Sequence, residues 1–302
     1  MIRSEVVRNR VMVQLGGNTE SGDGPVEPLL QIIGSMARHL LPPGPMDRGR
    51  KAPARVLMRL ARQRSVTYVD RWGYRRRATL GDKMEAYGFT GVRLLPPTVP
   101  RHVHPGDWVI DVGANVGLVT GQLCRMVGPS GRVWAFEPVP RNVSRLVELK
   151  QWNALDQLTV FAGALSSASG TATLHVPARR GVGDGDASAY ASLSLPFPTS
   201  RVLDVRTWSL DDLVFDSGPA RDLALLKIDV EGHERQVLDG AARTMRELRP
   251  VVLCEFNDLL LRELGYSSAQ LLESFKTYGY APAGSTPRLA RRNVDLLLMT
   301  DH

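Results

Sequence analysis

Two stretches carry residue types and spacings that could do chemistry. In "LLKIDVEGHE", residues 225–234, Lys227 is followed by Asp229, Glu231, His233 and Glu234. Such a cluster at the end of an apolar strand is costly unless it meets a cation, a proton or a partner. Three uses fit it. Asp229 and Glu231 can bind a divalent metal such as Mg²⁺, which lowers the pKa of a substrate hydroxyl. Glu231 or His233 can act as general base for that hydroxyl. A purely structural use pairs Lys227 with Asp229 and sets Glu231 and Glu234 at the start of the next helix, where the dipole favours them. If the strand runs on through the cluster, its period of two puts Lys227, Asp229, Glu231 and His233 on one face.

In "VIDVGANVG", residues 109–117, an apolar run around Asp111 meets a turn of Gly113, Ala114, Asn115 and Gly117. The glycines permit a tight turn and close approach of a ligand. A helix from about Leu118 offers free N–H groups. A strand, turn and helix of this kind can hold NAD, FAD or S-adenosylmethionine. The spacing here is GxxxG, not the GxGxxG that delivers a pyrophosphate to a helix N-terminus. Asp111, just ahead of the first glycine, repels a pyrophosphate and suits the ammonium of a methionine moiety, directly or through water. Glu137 stands 20 residues after Gly117, in "WAFEP" with Pro138 behind it. An acid at that strand end accepts hydrogen bonds from ribose hydroxyls. The next strand is expected to end near Ala164-Leu165-Ser166, whose backbone and hydroxyl can reach adenine. No Asn/Asp-Pro-Pro-aromatic run follows "LLKID". That points away from nitrogen on a base and towards oxygen.

The elements that must position these residues follow from texture. From about residue 105, short apolar runs alternate with helical patterns, as in a parallel α/β sheet. The expected strands are "WVIDVG", "RVWAFEP", "LTVFAGAL", "ALLKIDV" and "VVLCEF", with "YAPAG" and "VDLLLMT" last. Helices are expected over 117–127, 140–152, 233–248 and 267–278. Near-continuous apolar strands suit a sheet covered on both faces. Ligands of such sheets sit at the carboxyl ends of the strands, at a topological switch point.

The first 81 residues read as an N-terminal extension, with residues 82–302 as the main domain. "GGNTESGDGP" and "LPPGP" are loop chemistry. Short helices are expected over 26–41 and 53–64. "SVTYVDRWGYRRRATL" reads as a β-hairpin with Trp72-Gly73 at its turn. The extension could cover the pocket or form a homodimer contact. The formal charge of +7 on 302 residues is concentrated early, in "RGRKAPARVLMRLARQRS" and "RWGYRRR". No nucleic-acid-binding signature accompanies it, so nucleic acid is not the expected partner. No apolar run approaches the roughly 20 residues of a membrane span. The N-terminus lacks the apolar core of a secretory signal, so the expected compartment is the cytoplasm. Cys124 and Cys254 sit in apolar sequence and read as buried thiols.

The motifs together resemble a known family. "DVGANVGLVT", "AFEPVPRNVSRLVELKQWN", "ALSSASGTATL", "SLDDL", "LLKIDVEGHERQVLDGA" and "RPVVLCEFN" occur in the order seen in FkbM-family methyltransferases, over about residues 82–260. The resemblance implies a class I methyltransferase fold, a Rossmann-like, seven-stranded, mostly parallel sheet with helices on both faces. It implies S-adenosylmethionine as cofactor and a hydroxyl of a sugar, glycolipid, polyketide or other natural product as acceptor. It assigns Asp111, Gly113, Ala114, Asn115 and Gly117 to the methionine end, Glu137 and Pro138 to the ribose, and Ala164, Leu165 and Ser166 to the adenine. Asp229, Glu231 and His233 would face the acceptor, with Asp229 also beside the cofactor.

Segment 179–200 reads as an acceptor loop with Tyr190 and Phe197 towards substrate. Glu255 and Asn257 would complete the pocket. Two other classes remain open. A nicotinamide-dependent oxidoreductase would bind reduced nicotinamide despite the GxxxG spacing. A noncatalytic or nucleic-acid-binding protein with a vestigial cofactor site would co-purify with nucleic acid and bind no S-adenosyl compound.

Overall fold

The hairpin opens the described chain: β1 (Ser65–Val69) pairs antiparallel with β2 (Arg75–Thr79). The computed structural model describes residues 64–92, 94–177, 191–194, 200–217, 222–284, 288–290 and 293–300. The helix expected over 26–41, nearly all of that over 53–64, and both Tyr190 and Phe197 lie outside them. Asp70 makes the hairpin turn by accepting hydrogen bonds from the Trp72 and Tyr74 amides.

Helix α1 (Lys83–Thr90) follows, capped by the Asp82 side chain on the Glu85 amide and ended by Gly91 in the left-handed region. The elements then alternate: β3 (Trp108–Val112), α2 (Leu118–Val127), β4 (Arg132–Glu137), α3 (Pro140–Trp152) and β5 (Leu158–Ala162). Pro140 at the first turn of α3 sits where a missing N–H costs nothing. Arg141 and Arg145 of α3 bind Asp82 and Glu85 at 2.7–3.0 Å, which ties α1 to the sheet's helical layer.

The chain then leaves the sheet. Strand β6 (Ala164–Leu165) pairs parallel with β8 (Ser200–Trp208), and β8 pairs antiparallel with β7 (Gly170–Pro177), giving a separate three-stranded sheet. The single expected strand "LTVFAGAL" is therefore two, split at Gly163. There the chain passes so close to β8 that a Cβ would lie 2.5 Å from the Arg206 carbonyl oxygen.

After α4 (Leu210–Ser217) the chain re-enters as β9 (Leu223–Ile228), on the far side of β3. The helix expected over 233–248 is two, α5 (Glu234–Asp239) and α6 (Ala242–Glu247). They break at Gly240, where the backbone passes against the Ser166 carbonyl. Next come β10 (Val251–Asn257), α7 (Asp258–Glu263), α8 (Ser268–Lys276) with a full Ser267/Gln270 capping box, β11 (Tyr280–Pro282) and β12 (Asn293–Thr300).

The large sheet has the order β11-β12-β10-β9-β3-β4-β5. Neighbours among β10, β9, β3, β4 and β5 are parallel, and β12 is antiparallel to both of its neighbours. The order reverses between β3 and β9, so the crevice for a ligand opens at their carboxyl ends. Helices cover both faces. One core holds Trp108, Trp134, Phe136, Leu226, Leu238 and Phe275, and the other holds Val109, Leu123, Val133, Leu146 and Leu225. Cys124 and Cys254 are buried free thiols. Among the described residues no helix is long and apolar enough to cross a membrane.

Candidate functional site

At the reversal point the two chemical stretches meet. Asp111 of β3 stands directly across the ladder from Lys227 of β9. Their side chains pair at 3.0 Å, with Asp111 fully buried and Lys227 6% exposed. Asp111 Oδ2 also accepts from the Thr120 hydroxyl at 2.7 Å. Lys227 Nζ donates to the Gly113 carbonyl at 3.0 Å and lies 3.4 Å from Asp229 Oδ2. Burial works against the lysine's charge, but Asp111 and Asp229 outweigh it and lift its pKa above the usual range. One ammonium thus joins both stretches. The pairing of Lys227 with Asp229 is present but secondary, because it is longer and the Asp229 side chain is 41% exposed.

The glycine turn closes over this pair. Gly113 has φ +75°, and a Cβ there would lie 1.8 Å from the Asp229 carbonyl oxygen. Only glycine lets β3 turn so tightly against the end of β9. The Gly113 and Ala114 amides both donate to Phe136 O at 3.0 Å. Asn115 is held at φ 52°, and its amide donates to Glu137 Oε2 at 2.8 Å. Glu137 Oε1 takes the Val139 amide at 2.9 Å and the Asn142 side-chain amide at 3.3 Å. Burial pushes the Glu137 carboxyl up to about 7, against the pull of these donors.

A cavity of about 310 Å³ opens here, lined by Gly113, Ala114, Asn115, Glu137, Pro138, Ala164, Leu165, Lys227, Asp229, Glu231, His233 and Glu255 among others. Its volume is at the lower end of the roughly 300–1,000 Å³ of small-molecule sites. Helix α1 contributes Lys83, Met84 and Tyr87, and the segment 191–194 contributes Ala191 and Leu193.

Three expected cofactor residues do not line it. Asp111 is fully buried behind the cavity wall, with its carboxylate held by Lys227 and Thr120. Gly117 is the N-cap of α2, at φ +80°. Ser166 turns its hydroxyl to His233 Nε2 at 3.0 Å.

The acidic cluster is not one face of a strand. Strand β9 stops at Ile228, and Glu231 (φ 52°) and Gly232 (φ 96°) turn the chain before α5. Asp229, Glu231 and Glu255 nevertheless converge. Each brings a carboxylate oxygen to within 4.8 Å of the other two, a group that could hold a cation. Asp295, paired with Glu255 across β10 and β12, lines the same end of the cavity. Burial, then Asp229 and Glu231, push the Glu255 carboxyl up to about 9. Its Oε1 accepts from Asn293 at 2.8 Å, while Oε2 is buried with no hydrogen-bond partner. Asn257 caps α7 through the Leu260 amide and is absent from the cavity wall.

His233 departs furthest from its expected part. Ser166 Oγ sits 3.0 Å from Nε2 and Ser194 Oγ 2.8 Å from Nδ1. Burial lowers its pKa to about 4, so the ring is neutral and both nitrogens are engaged. Ser192 adds a bond to the Glu231 carbonyl at 2.8 Å. His233 therefore clasps segment 191–194 to the acidic turn. The expected acceptor loop 179–200 includes Ser192 and Ser194, although nothing local singles them out, and no local pattern marks Asp295, which arrives from a distant strand.

A strand order reversing beside the glycine turn, with the penultimate strand in space antiparallel, gives the chain a class I methyltransferase fold. The match is to the Methyltransferase FkbM domain, over residues 111–282 and more than half of the chain, and the protein belongs to that family. The hexuronic acid methyltransferase AglP of Haloferax volcanii is 29% identical over 147 residues, which are 49% of this chain and 55% of the relative. The chain thus spans about half the length of that relative. Among solved structures, methyltransferase FkbM from Methylobacillus flagellatus is 17% identical, with a TM-score of 0.39 over 82% of this chain and 59% of that one. A SAM-dependent methyltransferase from Aquifex aeolicus is 15% identical, with a TM-score of 0.36 over 68% and 94%.

Proposed function

We propose that the protein is an S-adenosylmethionine-dependent O-methyltransferase acting on a hydroxyl of a small molecule, with a carboxylated sugar as the leading acceptor class. The observation that carries this is one cavity bordered at one end by the glycine turn and Glu137 and at the other by Asp229, Glu231 and Glu255. The acceptor class is drawn from the relative whose name states a hexuronic acid.

When bound, S-adenosylmethionine supplies a methyl group on a sulfonium, which passes to the acceptor oxygen as the carbon–sulfur bond breaks. The chain's own residues do the rest. The backbone of Gly113, Ala114 and Asn115 shapes the methionine end. Glu137 accepts from the ribose, using the lone pair of Oε2 left beside the Asn115 amide. Ala164 and Leu165 cover the adenine. Asp229 and Glu231 supply the carboxylates that can receive the acceptor's proton as the oxygen attacks, whereas Glu255, pushed up to about 9, is protonated near neutral pH and does not act as the base. Alignment of oxygen, carbon and sulfur supplies much of the rate. Asp229, Glu231 and Glu255, the last once a cation displaces its proton, form an oxygen donor set suited to Mg²⁺, which would lower the hydroxyl's pKa further.

Calorimetry with S-adenosylhomocysteine and NADH tests the cofactor, and the expected result is binding of the first alone. Incubation with labelled S-adenosylmethionine and hexuronic acid glycosides, with and without EDTA, tests the acceptor and the metal. A labelled ether resistant to mild alkali is expected. An alkali-labile ester would move the nucleophile to the acceptor's carboxylate, which needs no base. NADH binding without S-adenosylhomocysteine would overturn the proposal.

A further inference from the structure

We propose that Arg76, in the hairpin ahead of the matched family segment, is a positioning residue that sets the shape of the cofactor turn from behind. The N-cap of helix α2 is Gly117, which has no side chain to cap it. A glycine there leaves the turn free to move in a way that a serine or aspartate cap would restrict. Arg76 supplies the missing restraint from another element. Its Nη2 donates to the Gly117 carbonyl at 2.9 Å, and its Nη1 reaches the Val116 carbonyl at 3.5 Å. Its Nε donates to Asp70 Oδ2 at 2.6 Å, and both side chains are nearly buried, 5% and 6% exposed.

Electrostatics show that this contact is not incidental. A cation beside a helix N-terminus is on the unfavourable side of the helix dipole. Buried and alone, a guanidinium there would be strongly destabilising. Asp70 neutralises it, and the same aspartate forms the hairpin turn through the Trp72 and Tyr74 amides. The helix makes room for it as well. A Cβ at Gly121, one turn into α2, would lie 2.2 Å from Arg76 Nη2. The hairpin is anchored a second time by Asn153 at the end of α3, which exchanges two bonds with the Arg75 backbone at 2.7 and 2.9 Å. Hairpin turn, aspartate, arginine and cofactor turn thus form one continuous chain of contacts. Arg76 does not line the cavity, so it acts on a ligand only through the turn.

The test compares wild type with Arg76→Met, Arg76→Lys and Gly121→Ala, each checked for a cooperative melt. Without ligand, amide hydrogen exchange over residues 113–118 is expected to quicken at least tenfold in Arg76→Met and Gly121→Ala. S-adenosylhomocysteine binding is expected to weaken about tenfold, with kcat at saturating cofactor within threefold and the KM for cofactor raised. Arg76→Lys, which can keep one contact, should fall between. Exchange and binding both within twofold of wild type in a folded Arg76→Met would overturn the proposal. If Arg76→Met does not fold, Gly121→Ala decides by the same thresholds. If wild type binds no S-adenosylhomocysteine, the cofactor assignment fails, and exchange alone still decides for or against Arg76.

Discussion

Replacing Asp111 by asparagine should destabilise the protein by about 3 kcal/mol, the lower end of the range for breaking a buried ion pair. At the observed 3.0 Å, two unit charges attract by roughly 5–6 kcal/mol at an effective dielectric of about 20. Removing both charges from water offsets much of this. The larger effect of mutation is the lysine left behind. Lys227 keeps the Gly113 carbonyl and the partly exposed Asp229, so it is not wholly orphaned, and the lower end of the range applies. Lys227→Met should cost more, near 5 kcal/mol, because Asp111 is then left with only the Thr120 hydroxyl. The double variant should be at least 2 kcal/mol more stable than the sum of the two losses. Urea denaturation of the four proteins measures this, and the coupling should persist at 0.5 M salt, because a buried pair is poorly screened. A loss below 1 kcal/mol in Asp111→Asn, or additive losses, would refute the reasoning.

Glu234 gives a pH prediction. Its pKa is raised to about 7 by burial, so its contribution to stability is full below the ordinary carboxyl value near 4.5 and is lost as pH rises through 7. Glu234→Gln should therefore match wild type near pH 4.5 and exceed it at pH 8, by on the order of 3 kcal/mol at most; equal stability at pH 8 would contradict this. Gly113→Ala should abolish S-adenosylhomocysteine binding in titration calorimetry, since its Cβ would overlap the Asp229 carbonyl. His233→Asn should lower kcat less than tenfold and leave the acid limb of the pH–rate profile in place, whereas a general base there would cost 10²–10⁴. Glu231→Gln should lower kcat by that larger factor, measured as initial rate with saturating acceptor.

Much of this was legible from local pattern. The apolar run 108–112, the glycine turn and the helices near 117–127 and 140–152 each declare themselves within about a dozen residues, because burial on both faces and helix periodicity are local signals. The small sheet was not legible. Strand β7 does alternate, with Ala172, Leu174 and Val176 more buried than Thr171, Thr173 and His175, but its partner β8 lies across a long connection, so no local signal fixes the pairing. The site divides the same way. Glu137 and the Asp229–Glu231 acids follow from strand ends. The Asp111–Lys227 partnership depends on the register of strands more than a hundred residues apart. The end of β9 at Ile228, two residues earlier than its polar continuation suggests, changes which way Glu231 and His233 face.

The aromatic side chains divide the molecule optically. Trp108, Trp134 and Trp208 pack edge-to-face with one another or with Phe136 and Phe161, centroids 4.9–6.0 Å apart, the two phenylalanines stack at 4.4 Å, and Phe136 is itself part of the cavity wall. Trp152 instead lies under Arg75 and Arg77, with the guanidinium carbons 4.9 and 5.3 Å from its ring. Trp72 sits at the hairpin turn beside Arg71. Near-ultraviolet circular dichroism, dominated by the coupled indoles, therefore follows the sheet behind the cavity. Quenching of Trp152 emission follows the docking of the hairpin, so the protein carries separate built-in reporters for its core and for the element that braces it.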